Sequence, residues 1–193
     1  AFTTVVTMCM VDGITKKSVA AMLGTIIGVV FSGAFALIFG QVTSITGYNV
    51  SDIENLVYVG EMTDIKIGEL LFAGILIASL GAVMDVGMSI ASTLNELKEQ
   101  NPQMMLKELF QSGMNVGRDM MGTMTNTLIL AFTGGSINTL VFIFAYNYEY
   151  QQVINMYSVG IEIMQGLSSS LGVIIAVPVT SWIAAFLYSK NQK

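Results

Sequence analysis

The sequence predicts an all-α fold, a polytopic transmembrane helical bundle of about four to five spans plus one cytoplasmic amphipathic helix. The chain is 53% hydrophobic and only 11% charged, whereas soluble domains carry about a quarter charged residues. Apolar stretches fit to cross a hydrocarbon layer about 30 Å thick occur at 18–43, 67–95, 166–188 and, continuing after a break, 120–133. Because backbone polar groups in lipid must bond within their own segment, such spans are helices. Residues 1–193 are therefore expected to form a single transmembrane helical domain.

The first two elements are a short apolar segment and a glycine-rich span. Residues 1–11 are apolar but too short for a span and lack the layout of a signal peptide. They are interpreted as the end of a span, so that the chain would be the C-terminal part of a longer protein. In the span at 18–43, small residues recur four apart on one face, a spacing that lets membrane helices approach closely: Gly24, Gly28, Ser32 and Ala36.

The later elements are delimited by turn residues. The third span runs from about Ile67 to Lys98 and is stopped by Asn101 and Pro102. Residues 101–113 alternate apolar and charged side chains and predict an amphipathic helix on the cytoplasmic membrane surface. The fourth span begins near Asn115 and breaks at Gly134 and Gly135. The segment 137–146 is too short to cross alone, and is either interfacial, re-entrant or the upper part of a kinked span; the last span covers 160–188.

The charges are sorted along the chain, although the net charge is −5. Lysines and an arginine occur at Lys16, in the segment from Lys98 to Arg118 and at the C-terminus, while 45–66 is mostly acidic. The positive-inside rule assigns the basic segments to the cytoplasm and 45–66 to the outside. A nucleic-acid partner is not expected, since the chain has no basic surface of the kind that binds one.

One acidic residue, Asp85, lies deep within the third span. At helical spacing it shares a face with small and polar side chains: Gly81, Ser89, Ser92 and Glu96. An ionised carboxylate near mid-bilayer costs about 3 kcal/mol or more. Asp85 must therefore be neutral or partnered, and its stripe is expected to face other helices rather than lipid.

Two other spans offer polar faces. The fourth span has Asn115, Asp119, Gly122 and Asn126 on one face, with Arg118, Thr123, Thr125 and Thr127 nearby. The last span has Glu162, Gln165, Gly166, Ser169 and Ser170 along one edge. The sequence predicts that these faces and the Asp85 stripe meet at one interface, an intramembrane polar site or proton relay.

Simpler interpretations stand beside this one. Serine, threonine and glycine stripes are commonly packing seams, Arg118 and Asp119 fit a membrane-boundary pair, and Glu96 fits a helix end. An intramembrane acidic residue such as Asp85 is, by contrast, a functional-site candidate by default.

Enzymatic and cofactor-based functions find little support in the sequence. With one cysteine and no histidine, a disulfide within the chain is excluded, no zinc or haem site is expected, and no cofactor is predicted. The glycines of "FTGGSIN" lack the lysine that a phosphate-binding loop requires. An aspartyl protease using Asp85 and Asp119 would need the two carboxylates in contact, and neither has a glycine-flanked motif. The chain is therefore not expected to be an enzyme.

Three blocks resemble a known family: "GAVMDVGMSIASTLNEL", "GMNVGRDMMGTMTNTLILAF" and "GLSSSLGVIIAVPVTSWIAA". In order and spacing they resemble the YibE/F family of bacterial multi-pass membrane proteins, over essentially the whole chain. More distantly, they resemble the membrane half of SecD/SecF and of the resistance-nodulation-division (RND) transporters. In those transporters one helix has a mid-membrane aspartate and a later acidic residue, which correspond to Asp85 and Glu96. The next span opens with an arginine and a Thr/Ser-rich turn, which correspond to Arg118, Thr123 and Thr125. The final span has a Ser-Ser pair and then a proline, which correspond to Ser169, Ser170 and Pro178.

The resemblance implies one RND- or SecF-like half-repeat in the bacterial cytoplasmic membrane. It implies a permease or export-assisting subunit of unknown substrate, driven by the proton-motive force, with Asp85 as the proton-responsive carboxylate. A second copy or a paralogous membrane subunit would complete the pseudo-symmetric assembly within the lipid bilayer. The alternative is a non-transporting structural or assembly subunit in which Asp85 is a helix-packing device.

Overall fold

The computed structural model describes residues 15–45 and 67–189, with Thr4, Val6, Thr7 and Gly13 before them. Within the two ranges the regular structure is helical, as predicted. Its elements are α1 (Lys16–Val42), α2 (Ile67–Gln100), α3 (Leu106–Gly135), α4 (Ile137–Ala145), α5 (Tyr150–Ile154) and α6 (Tyr157–Ser189). The predicted acidic segment 45–66, most of 1–11 and the C-terminal lysines lie outside the described residues.

Three helices are long and apolar enough to cross a membrane, namely α1, α2 from Glu69 onward, and α6. A fourth candidate span is the pair α3 and α4, which is bent by 55° at the predicted Gly134–Gly135 break. The described residues thus contain three candidate spans, or four if the bent pair is one broken span rather than a re-entrant loop. This is the predicted kind of helical bundle.

Helix α6 lies at the centre of the bundle and packs against α1, α2 and α3. Close contacts at glycines set the helix directions. Along α1, Gly24 meets Thr180 while Gly28 meets Ala176, so α1 is antiparallel to α6. In α3, Gly113 lies against Ser181 and Gly117 against Val177, so α3 is also antiparallel to α6. Helix α2 is antiparallel to α1, because Val83 lies at Gly28 while Gly87 lies at Ala21. The ends of α1, α2 and α3 that bear Lys16, Lys98 and Lys107 therefore lie at the same end of the bundle, here called the lysine-bearing end.

Small residues allow this tight packing. The predicted stripe on α1 is buried throughout, and Gly28 lies so close to Val83 and Ala176 that an added Cβ would approach them to 2.7 and 2.9 Å. In membranes, where apolar side chains gain little by leaving lipid, such backbone approach is a main source of helix association. The stripe of α1 is thus a packing seam.

The connection between α2 and α3 corrects one boundary. Residues 101–113 do not form a separate amphipathic helix: residues 101–105 form a turn, and α3 runs from Leu106 to Gly135 without interruption. Lys98 Nζ donates to the carbonyl oxygens of Pro102 and Met104, at 2.7 and 2.9 Å, and holds the turn. No proline follows to end the helix, and Gly113 continues it because its bare backbone packs against Ser181. The amphipathic residues are the first turns of α3.

Tyr188 makes a buried hydrogen bond between helices, and its loss should be measurable. The Tyr188 hydroxyl donates to the Ala91 carbonyl oxygen at 3.3 Å. We expect Tyr188→Phe to destabilise the protein by about 1 kcal/mol, since the ring packing remains and one hydrogen bond is lost. Thermal unfolding in detergent should show a midpoint lower by roughly 2–4 °C. The exposed Tyr157 supplies the control, and equal shifts for Tyr157→Phe and Tyr188→Phe would contradict the prediction.

Candidate intramembrane polar site

Asp85 lies midway along α2, far from other charges of that helix. On α2 itself the nearest acidic side chains are those of Glu69 and Glu96, about 24 and 16 Å away along the axis. The Asp85 side chain is exposed and makes no hydrogen bond or ion pair with any residue that the structure describes. Among the described residues, therefore, nothing covers a carboxylate at this depth.

The polar stripe of α2 does not face the other described helices, and this corrects the sequence-based expectation. Gly81, Asp85 and Glu96 are exposed, with Ser89 and Ser92 partly exposed. The opposite face is fully buried and apolar: Val83, Val86, Ile90 and Leu94. The reason is Gly87, which packs against Thr25 and Ala21 of α1 and directs the apolar face of α2 inward.

The polar face of α3 is exposed in the same way. Its packing face consists of Leu109, Gly113, Gly117 and Leu128. The opposite face carries the predicted polar set, all exposed: Asn115, Arg118, Asp119, Gly122, Thr123 and Asn126. The Thr123 hydroxyl donates to the backbone carbonyl oxygen of Asp119 at 3.2 Å, so its bond is local. Thr125 lies apart from this face and is partly buried.

The exposed faces of α2 and α3 are level with one another. Leu94 of α2 lies close to Gly113 of α3, and the two helices run in opposite directions. Asp85 is nine residues before Leu94, and Gly122 is nine residues after Gly113. At 1.5 Å per residue, both are therefore at about the same height along the bundle. An added Cβ at Gly81 or Gly122 would meet nothing within 4 Å. The faces thus combine charged side chains with open backbone at one height.

The serines of α6 are in the core. Ser168 and Ser169 are fully buried and Ser170 is 7% exposed. The hydroxyls of Ser168 and Ser169 have no hydrogen-bond partner among the described residues. The sequence pattern did not single out Thr25 or Thr180, which are likewise buried with unpartnered hydroxyls. The signal that could have identified them is their position as small polar residues within long apolar runs.

A cavity of about 410 Å³ lies between α6 and the bent pair α3 and α4. Three predicted site residues line it, namely Thr125, Glu162 and Ser170. Other hydroxyl residues around the helix break also line it, and sequence reasoning missed them: Thr133, Ser136, Thr139 and Ser158. The sequence signal that could have identified this site is the glycine pair at 134 and 135, which has a hydroxyl residue on each side.

The predicted polar residues therefore form separate groups rather than one interface. Asp85 and the α3 face are on the outside of the bundle, Ser168 and Ser169 are in the core, and Glu162 lines the cavity. Because α6 packs against the apolar face of α2, the Asp85 stripe points away from the serines. Within the described ranges there is no group of three or more Cys, Asp or Glu side chains that could hold a metal ion.

Comparison with known proteins gives one match. A family model described as YibE/F-like protein matches residues 1–190. No curated protein and no solved structure matches the chain, so the resemblance to SecD/SecF and the RND transporters remains an expectation.

Proposed function

The chain belongs to the YibE/F-like family, and from that premise we propose that it is a proton-motive-force-coupled membrane permease or export-assisting subunit. Asp85 is its proton-responsive carboxylate. The observation that supports this proposal is the position of Asp85: midway along a candidate span, exposed, and without a partner among the described residues.

Two protonation states of such a group favour different surroundings. The carboxylate costs about 3 kcal/mol or more in lipid and demands a cation or hydrogen-bond donors, whereas the neutral acid can pack against apolar surface. Arg118 would stabilise the charged form from the α3 face, about 6 Å nearer the lysine-bearing end than Asp85. Ser89, Thr123 and Asn126 would supply alternate hydrogen bonds. A proton taken up or released would then shift the packing of this face.

The exposed polar faces of α2 and α3 are suited to contact with a partner. We propose that a second copy or a paralogous membrane subunit packs on the α2 and α3 faces. The open backbone at Gly81 and Gly122 permits close approach, and in a two-fold arrangement Arg118 of one copy can pair with Asp85 of the other. Asp119 belongs to the same face. Glu162, Thr125, Ser169 and Ser170 lie elsewhere, so the proposed relay does not need them in contact with Asp85.

The second candidate is a structural or assembly subunit that transports nothing. The same exposed aspartate suits a permanent interhelical hydrogen bond, which in membranes is worth about 0.6–2 kcal/mol. In either case we place the protein in the bacterial cytoplasmic membrane with its lysine-bearing end in the cytoplasm, as the positive-inside rule predicts.

Carbodiimide labelling across a pH series tests the proposal, because the reagent modifies protonated carboxyls in apolar surroundings. In membranes containing the full-length protein, we expect labelling of Asp85 that is strong at acidic pH and falls as the pH rises through the neutral range. Deprotonation removes the reactive form, so the decrease must have this sign.

Two variants assign the signal. Asp85→Asn should abolish the pH-dependent labelling, while Glu162→Gln should retain it. Labelling of Asp85 that stays constant over the whole range would show a carboxyl held in one protonation state. The structural alternative would then replace the proton-coupled one.

A further inference from the structure

The cavity between α6 and the α3–α4 pair has a composition that the proposed function does not use. The described residues that line it include five aliphatic side chains, six hydroxyl side chains and one carboxylate, Glu162. The volume of about 410 Å³ lies within the range of small-molecule sites, about 300–1,000 Å³.

Glu162 gives this cavity its charge. The residue is the sixth of α6, about 8 Å along the axis from Tyr157, and is partly buried. It has no hydrogen bond or ion pair with any residue in the described ranges. Among the cations described, Arg118 is the nearest along the bundle. Since Gly117 lies against Val177, Arg118 is about 21 Å from Glu162 along the helix axis.

A second unpartnered polar group belongs to a residue that lines the same cavity. Ser136, at the bend between α3 and α4, has a buried hydroxyl oxygen with no partner within the described part of the chain, and it lines the same cavity. Buried polar atoms are nearly always hydrogen-bonded. Because this oxygen has almost no accessible surface, a ligand with several donors would satisfy both Glu162 and Ser136 only if the Ser136 side chain rotated toward the cavity.

The outer wall of the cavity is apolar and open to the surroundings of the bundle. Ile129, Leu140, Ile163 and Leu167 line it and are between 43% and 55% exposed. A ligand can therefore enter from the hydrocarbon layer and leave its apolar part against these side chains.

We propose that this cavity binds a lipophilic primary amine, whose ammonium group pairs with Glu162 and hydrogen-bonds to the hydroxyls around the bend, and whose alkyl chain lies along the aliphatic wall. A primary ammonium has three donors, which suits a carboxylate with hydroxyl acceptors. A quaternary ammonium would need an aromatic cage, and Phe132 is the one aromatic residue in the lining. A phospholipid is disfavoured because its phosphate would lie near Glu162 with no described cation to neutralise it.

Equilibrium binding of radiolabelled n-decylamine to the purified full-length protein in detergent, near neutral pH, tests the proposal. We expect a saturable component that Glu162→Gln weakens roughly tenfold or more, because a charge-assisted hydrogen bond is lost. Decyltrimethylammonium and n-decanol should both compete poorly.

A second variant reports on the cavity independently. Gly166 lines it, and an added Cβ there would meet Phe132 at an ordinary 3.6 Å. Gly166→Ala should therefore fold normally, and the larger side chain of Gly166→Leu should fill the cavity and remove binding. Glu149→Gln, an exposed carboxyl outside the cavity, is the matched charge control.

Several results would overturn the proposal. Binding unchanged in Glu162→Gln, or equal competition by n-decanol, would show an apolar cavity without amine recognition. Displacement of decylamine by phosphatidylethanolamine in nanodiscs would make the occupant a phospholipid. Because the assay measures binding and not transport, Asp85→Asn should bind decylamine normally, and a failure of the proton-coupled function would leave this result unaffected.

Discussion

Gly117→Leu is expected to prevent the bundle from forming. Gly117 of α3 is fully packed, and a Cβ at this position would overlap the side chain of Val177 on α6. Overpacking a well-packed core costs about 1–3 kcal/mol and occasionally more. Here the added isobutyl group lies between two long helices that must approach closely. We expect little folded protein after purification, judged by size-exclusion profile and thermal unfolding.

The same glycine-to-leucine substitution at another glycine of α3, Gly122, supplies the control. Gly122 is five residues away on the opposite face, where an added Cβ meets nothing within 4 Å. Gly122→Leu should therefore fold like the wild type, because leucine is also the better helix former. Equal loss of folded protein in both variants would show that α3 does not pack on α6 through Gly117.

Gly122→Leu should instead abolish association between chains. In the proposed two-copy arrangement, the exposed faces of α2 and α3 pack against a partner, and Gly122 lies at about the height of Asp85. A leucine there would keep the backbones apart, and close approach is the main source of attraction between membrane helices. We expect two differently tagged copies to co-purify from the membrane as wild type and to separate almost completely as Gly122→Leu.

Gly134 offers a matched control for the association experiment. It is exposed, open to an added Cβ, and lies in the last turn of α3, about 18 Å along the axis from Gly122. Gly134→Leu should therefore co-purify like the wild type. Wild-type copies that do not associate would contradict the two-copy form and leave a paralogous subunit as the covering partner.

The helices of this chain could be predicted closely because their boundaries rest on local signals. The third span was expected to end before Asn101 and Pro102, and α2 ends at Gln100. The expected break at Gly134 and Gly135 is where α3 ends. Long apolar runs and turn residues act over a few positions, so one sequence suffices to locate them.

The orientation of α2 could not be predicted in the same way. This helix has two faces with small residues, one with Gly81 and Asp85 and one with Gly87 and Ala91. In lipid, burial of apolar surface does not select between them. The choice depends on Gly87 meeting Thr25 of α1, a contact between residues 62 positions apart in the sequence. The cavity likewise depends on how the bent pair lies against α6, which no local pattern encodes.

The central position of α6 has a consequence for how the protein is made. Chains are synthesised from the N-terminus, so α1, α2 and α3 leave the ribosome and enter the membrane before the helix on which they all pack. Until α6 arrives, α1 and α2 can pack on each other, but the surfaces of Gly28 and Gly117 that meet Ala176 and Val177 face lipid or a chaperone. The core of this bundle is therefore completed only after the last of its described helices has been inserted, and quality control must tolerate three helices with uncovered α6-facing surfaces for that interval.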